Sequence, residues 1–167
     1  MPIKTTVKTI FNCSLERAFK SPMLCDVTKV HTGYMFMPKV THCKDDEEWG
    51  KPGGSRRVFM EKNAFFKGGE AALDTVLERE ENKYWKIELT NFTYFSMGFY
   101  KFQGEWETRE ISSDETEVIY TYTLFPSVPY FYPFQWLMVK LMWRTYMKHV
   151  IDNVKKLAYE KAPYLHD

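Results

Sequence analysis

The residue types that do chemistry are all present in this chain, but few stand at the spacings chemistry needs. His42 and Cys43 are neighbours and would make a base and a nucleophile if their side chains met. They fall in a segment that reads as a strand, where adjacent side chains leave on opposite faces, so a structural role is expected of both. His31, His149 and His166 are scattered, and no His-x-x-x-His or Glu-x-x-His pair accompanies them. No metal and no other cofactor is expected. The run Gly50-Lys51-Pro52-Gly53-Gly54-Ser55 has the glycines of a phosphate loop without its Gly-Lys-Ser/Thr ending, and a strand follows it, so it reads as a turn.

Three further groups are more informative. Arg56 and Arg57 alternate along a strand, so one of them can reach an interior and fix a carboxylate or phenolate, although two solvent-facing arginines are the ordinary arrangement. Glu78, Arg79, Glu80 and Glu81 close a strand and enter a turn, where solvated charges are expected and no carboxylate dyad. Tyr100, Tyr120 and Tyr122 fall at inward positions of their strands. A buried phenol must find a partner, which can be a ligand carbonyl, another tyrosine or the backbone.

The elements that position these groups follow from periodicity. Ile3, Thr5, Val7, Thr9 and Phe11 share one side of a first strand. Ser14 offers an N-cap to a short helix with Glu16 in its first turn, which Pro22 is expected to end, and a second short helix is expected from Met23 to about Val30. Strands are expected at Phe36 to Lys44, Ser55 to Lys62, Glu70 to Arg79, Lys83 to Thr93, Phe99 to Ile111 and Glu117 to Phe125. Their links are too short for crossover helices, so the meander is antiparallel. In the fifth of these, Tyr100, Phe102, Gly104, Trp106 and Thr108 share the inward face, and Trp85, Ile87 and Leu89 of the strand before should line the same interior. From Pro133 to about Ala162 the chain reads as one helix with no internal Gly or Pro. Val139, Met142, Trp143, Tyr146, Val150, Val154 and Leu157 gather on the side meant for the sheet, with Lys140, Arg144, Lys148, Asp152 and Lys155 opposite.

Composition narrows the function classes. The 167 residues suit one domain, 1–167, large enough to bury a real core. With 13 Phe, 11 Tyr, 5 Trp and 9 Met, the interior has more large, soft side chain than simple packing requires. A net charge of +1, from 23 basic and 22 acidic residues, gives no field for nucleic acid. Cys13, Cys25 and Cys43 are odd in number and lack CxxC spacing, which argues against a disulfide framework and fits a reducing cytoplasm. The first residues alternate like a strand and carry no signal-peptide core. The most apolar stretch, Pro129 to Trp143, is shorter than the ~18 to 20 residues that span a bilayer and contains Lys140, so no transmembrane segment is expected.

The order strand, two short helices, six-strand meander and long closing helix resembles the START-like helix-grip superfamily (SRPBCC), especially its polyketide-cyclase-like and lipid-transport-like branch. The residues that carry the likeness are IKTTVKTIFNCSLERAF running into a helix, GKPGGSRRVFM after a Trp-containing loop, GEWETRE with its inward Trp106, EVIYTYTL, and the terminal helix. The resemblance implies an α+β fold in which a curved antiparallel sheet of about seven strands grips the C-terminal helix around an apolar cavity. It implies a hydrophobic ligand there, and for some relatives ring or cyclisation chemistry, but no branch-specific catalytic motif is found to carry over. A lipocalin-type barrel fits less well, because Gly104-Glu105-Trp106 lies late in the chain and the terminal helix is long.

The expected pocket residues are Trp85 and Leu89 on one strand, Tyr100, Phe102 and Trp106 on the next, Tyr120 and Tyr122 on the last, and Met142, Trp143 and Tyr146 on the helix. Two functions follow. The first is a binder or carrier of a lipid, polyketide-like or aromatic molecule, which requires a cavity of about 300 Å³ or more. The second is a cyclase- or hydratase-like enzyme using pocket Tyr or Arg donors to polarise a carbonyl. At the start of the helix, Phe134, Leu137 and Leu141 turn away from the sheet. They serve as a lid, a homodimer contact or a peripheral membrane contact, unless the PSVPYFYPF segment folds back and covers them.

Overall fold

A computed structural model of the chain describes residues 1–94 and 96–167. Strand β1 (Ile3–Phe11) leads into α1 (Leu15–Leu24) and α2 (Val27–Val30), followed by β2 (Val40–Asp45), β3 (Ser55–Met60), β4 (Gly69–Glu80), β5 (Tyr84–Thr90), β6 (Phe99–Ser112) and β7 (Glu115–Pro126). The sheet is antiparallel throughout in the order β1-β7-β6-β5-β4-β3-β2, so the first strand closes against the last. Bulges interrupt the ladders at Val40/His42, Val58/Phe59, Val76/Glu78, Phe99/Lys101 and Glu110/Ser112. Each adds local twist and bend, which is what a sheet needs to curl around a helix.

The closing run starts with a 3₁₀ turn (Pro129–Phe131), then α3 (Tyr132–Met138), a π-helical segment (Val139–Trp143) and α4 (Arg144–Tyr159). The sequence reads here as one uninterrupted α-helix, and the π segment is a departure from that. Ahead of it Gln135 and Met138 are buried, within it Val139 and Trp143, and beyond it Tyr146, Met147, Val150, Ile151, Val154, Leu157 and Ala158. These lie on Val7, Phe11, Val118 and Leu124 of the sheet to make the main core. Among the described residues no helix is long and apolar enough to cross a membrane.

Helix α1 begins as expected, with the Ser14 hydroxyl accepting from Arg17 N at 3.4 Å. Pro22 does not end it, because the helix continues to Leu24. Proline removes the amide that would satisfy the carbonyl four residues back, which here belongs to Ala18. That carbonyl accepts instead from the Trp106 indole at 3.0 Å. The next one, Phe19, accepts from Trp85 Nε1 at 2.8 Å, and Met23 accepts from Trp49 Nε1 at 3.4 Å. Three tryptophans thus fasten one irregular helix to the rest of the fold.

Two other expectations are corrected. Strand β2 starts at Val40 rather than Phe36, because Tyr34 and Met37 close a tight turn with mutual backbone bonds of 3.0 and 2.9 Å, and Met35 takes a positive φ of 50°. Arg79 is not a solvated charge at a strand end. Its guanidinium donates to Gly50 O at 2.9 Å and to Asp167 O at 3.1 Å, and lies 4.6 Å over the Trp85 ring.

Candidate functional site

Between the inner face of the sheet and the helical run lies a cavity of about 80 Å³. The sheet supplies Trp85, Ile87 and Leu89 from β5, Phe102 and Trp106 from β6, and Tyr120 and Tyr122 from β7. The closing run contributes Trp143, Tyr146 and Val150, and the α1–α2 side adds Met23, Val27, Val30 and His31. Gly104 sits where a Cβ would come within 3.1 Å of both Ile87 and the Tyr122 ring, so its lack of a side chain lets the phenol lie against β6.

Eight of the ten residues expected from the sequence meet at this cavity, and two do not. Tyr100 is 55% exposed and faces out beside Phe125, because the bulge between Phe99 and Lys101 reverses the alternation ahead of Phe102. Met142 lies inside the π segment and packs half-buried against the core without reaching the cavity. The cavity is also far smaller than the 300 Å³ a preformed pocket for a lipid or polyketide requires. The aromatic side chains that were to line it largely fill it, through edge contacts such as Phe102–Trp143 at 5.0 Å and Tyr122–Trp143 at 5.4 Å.

The charged side chains buried at the cavity come from β3 and β4. Strand β3 turns Arg56, Val58 and Met60 inward together, and β4 does the same with Ala72, Asp74 and Val76. Cross-strand register places Arg56 opposite Asp74. Both are buried, at 5% and 3% exposure, and Arg56 Nε and Nη2 each lie 3.2 Å from Asp74 Oδ2. Arg56 also covers the Trp49 ring at 3.9 Å. Asp74 Oδ1 has no hydrogen-bond partner. Burial pushes the Asp74 carboxyl above its ordinary range, and the guanidinium pulls it only part of the way back.

His31 is the second polar group. Its Nδ1 is 2.7 Å from the Tyr146 hydroxyl, and the two rings stack. Burial first, and the Arg56 charge second, lower its pKa to about 4, so the imidazole is neutral at pH 7. Burial likewise raises Tyr120, Tyr122 and Tyr146, which leaves them as neutral phenols. The Trp85 and Trp106 indoles are occupied by α1, while Trp143 Nε1 is unpartnered. Cys43 has its thiol pushed up to about 11 by burial, and His42 turns outward to stack on Phe59 at 4.4 Å, so the adjacent pair does not meet. Among the described residues no group of three or more His, Cys, Asp and Glu could hold a metal ion.

Sequence reasoning reached Arg56 only as one of two alternatives and missed Asp74 and His31. A usable signal existed for the pair: Arg56 shares parity with Val58 and Met60, and Asp74 with Ala72 and Val76. A charge at an inward register on each of two consecutive strands points to a buried ion pair.

No family model and no curated protein matches this sequence. Solved structures match over nearly the whole chain. Ara h 8.0201 superposes with a TM-score of 0.70 at 11% identity, covering 96% of this chain and 99% of its own. Norcoclaurine synthase from Thalictrum flavum, in complex with dopamine and hydroxybenzaldehyde, gives 0.70 at 10% identity over 98% of this chain and 90% of that one. A protein of unknown function from Staphylococcus aureus gives 0.72 at 13% identity, covering 96% of each. At these identities the likeness is one of fold.

Proposed function

We propose that this chain, which has the helix-grip fold of the START-like superfamily, binds a small hydrophobic molecule of about one ring that carries a hydrogen-bond donor. The observation that carries the reading is a buried ion pair, Arg56–Asp74, facing a cavity lined mostly by aromatic and aliphatic side chains, with one carboxylate oxygen unpartnered. Burying two charges costs several kcal/mol per ion, and apolar side chains of similar size often serve stability as well or better. A pair kept at a cavity wall is better explained by what it can bind. Asp74 Oδ1 accepts from a ligand hydroxyl or amine, while Trp85, Phe102, Trp106 and Trp143 surround the apolar body.

Ligand size follows from volume. A cavity of 80 Å³ holds two or three waters at about 30 Å³ each, and a benzene-sized guest needs about 150 Å³. Met23, Met37 and Met60 line the wall, and unbranched thioethers rotate aside more readily than branched side chains do. One ring is therefore within reach, and a long acyl chain requires far larger displacement. The test is a calorimetric titration with phenol, aniline and toluene against wild type and Asp74→Asn. Phenol and aniline should lose at least about tenfold in affinity in the variant, corresponding to one charge-assisted hydrogen bond, while toluene is unchanged. Absence of binding by all three, or an equal loss for toluene, refutes the reading.

Acid–base catalysis is a second reading, favoured by one observation, the 2.7 Å contact between neutral His31 and Tyr146 at the cavity wall. An enzyme would turn over a bound carbonyl compound with a rate that falls in Tyr146→Phe while affinity holds. A pure binder would show no turnover in either protein.

A further inference from the structure

We propose that the start of the closing helix is a docking surface for an anionic lipid bilayer. Tyr130 is 92% exposed, and Phe131, Phe134, Leu137 and Leu141 follow it along the outward side of the 3₁₀ turn, α3 and the π segment, each about half exposed or more. Trp136 stands exposed beside them. The PSVPYFYPF segment does not fold back over this stripe, since its own Tyr130 and Phe131 point to solvent. Contiguous apolar surface of this kind on a folded chain marks an interaction site.

Charge identifies the occupant. Between Glu117 and Asp152 the chain has no Asp or Glu, and over the same stretch it carries Lys140, Arg144, Lys148 and His149. Arg144 and Lys148 are exposed on the turns that follow the stripe, and Lys140 reaches back to donate to Lys4 O at 2.5 Å. Aromatic and leucine side chains on one flank with cations beside them are what a helix lying in a bilayer interface presents, with Trp and Tyr suited to the headgroup level. A second copy of the chain is disfavoured by the same charges. A twofold contact through this stripe would bring each set of cations against its copy with no acid in the stripe to pair them, whereas phosphatidylserine supplies that acid.

The experiment is flotation of the full chain with two vesicle preparations, phosphatidylcholine alone and phosphatidylcholine containing about one quarter phosphatidylserine. The chain should partition onto the anionic vesicles and lose most of that binding in about 0.5 M salt. Leu137→Ser with Leu141→Ser should lower the partition coefficient at least about tenfold. Arg144→Gln with Lys148→Gln should lower it on anionic vesicles and not on neutral ones. These side chains are exposed, so an unchanged urea transition in each variant verifies that the fold is intact; Phe134→Ser repeats the test if the double leucine variant unfolds. Binding to neither vesicle, or binding indifferent to Leu137 and Leu141, overturns the proposal. A dimer in equilibrium sedimentation that the leucine variant dissolves, without vesicle binding, makes a second copy the occupant instead.

Discussion

Replacing Arg56 by methionine should be among the most damaging single changes in this protein. The guanidinium is buried and is the only positive group within bonding distance of Asp74 in the described residues, so its loss leaves a carboxylate in the interior with nothing to balance it. Breaking a buried pair from one side costs about 3 to 5 kcal/mol. With a urea slope of about 2 kcal/mol/M, the unfolding midpoint should fall by about 2 M. Part of any loss comes from the Arg56 contact with Trp49, worth about 0.5 to 2 kcal/mol, and a second variant separates the two. In Arg56→Met with Asp74→Leu the stacking is equally absent but no charge is stranded, so most of the lost stability should return. Acid should rescue the single variant in the same way. Without the guanidinium the folded-state pKa of Asp74 rises further above its unfolded value, so the penalty appears as pH climbs through that pKa and fades as pH falls toward the ordinary carboxylate range. The assay is urea unfolding followed by tryptophan fluorescence at several pH values. A midpoint shift below about 0.5 M for the single variant, or a double variant no more stable than it, would show that the pair does not bear the energetics assigned to it.

The lowered His31 pKa predicts a second pH effect of opposite sense. The native imidazole stays neutral down to about pH 4 while the unfolded one takes a proton near 6.5, so stability falls as pH drops through that window, by roughly 3 kcal/mol in all. His31→Gln should flatten this part of the pH–stability curve, and a slope identical to wild type would contradict the reading. At α1, Trp106→Phe removes the donor to Ala18 O and leaves a carbonyl that Pro22 cannot serve. Adding Pro22→Ala should restore a backbone amide and recover about 1 to 3 kcal/mol in the Trp106→Phe background but much less in wild type, as urea unfolding of the four proteins would measure. Equal effects in both backgrounds would mean that the indole and the proline are not coupled.

Much of the fold was legible because its elements obey simple periods. Ile3, Val7 and Phe11 alternate inward as a strand requires, and Val150, Val154 and Leu157 recur as a helix on a sheet requires. Apart from the start of β2, which a local turn at Tyr34–Met37 sets, the errors share a cause: a residue far along the chain, or a single inserted residue, overrides a local rule. Pro22 stays helical because an indole from β6 serves the carbonyl it strands. Tyr100 faces out because one extra residue in β6 flips the pleat, which no alternation pattern announces. The site was readable as a set of aromatic walls and unreadable as a volume. Whether Trp143, Phe102 and Tyr122 enclose space or fill it depends on fractions of an ångström of packing, and residue type carries no such information. The Arg56–Asp74 pairing needed the register of β3 on β4, which parity along each strand does not supply.

The π segment at Val139–Trp143 has a bearing on how this helix can have arisen and how it can change. Such a segment is an α-helix holding one residue too many, and that residue turns everything before it by about 100° relative to everything after it. The two halves of the closing helix are therefore out of phase: Gln135 and Met138 meet the core in one phase, Val150 and Val154 in another. Loss of a single residue within the segment would bring them back into step, rotating the aromatic N-terminal half as a body while Val150 and Val154 held their places. The inner and outer faces of that half are thus set by a count of residues as much as by their kinds.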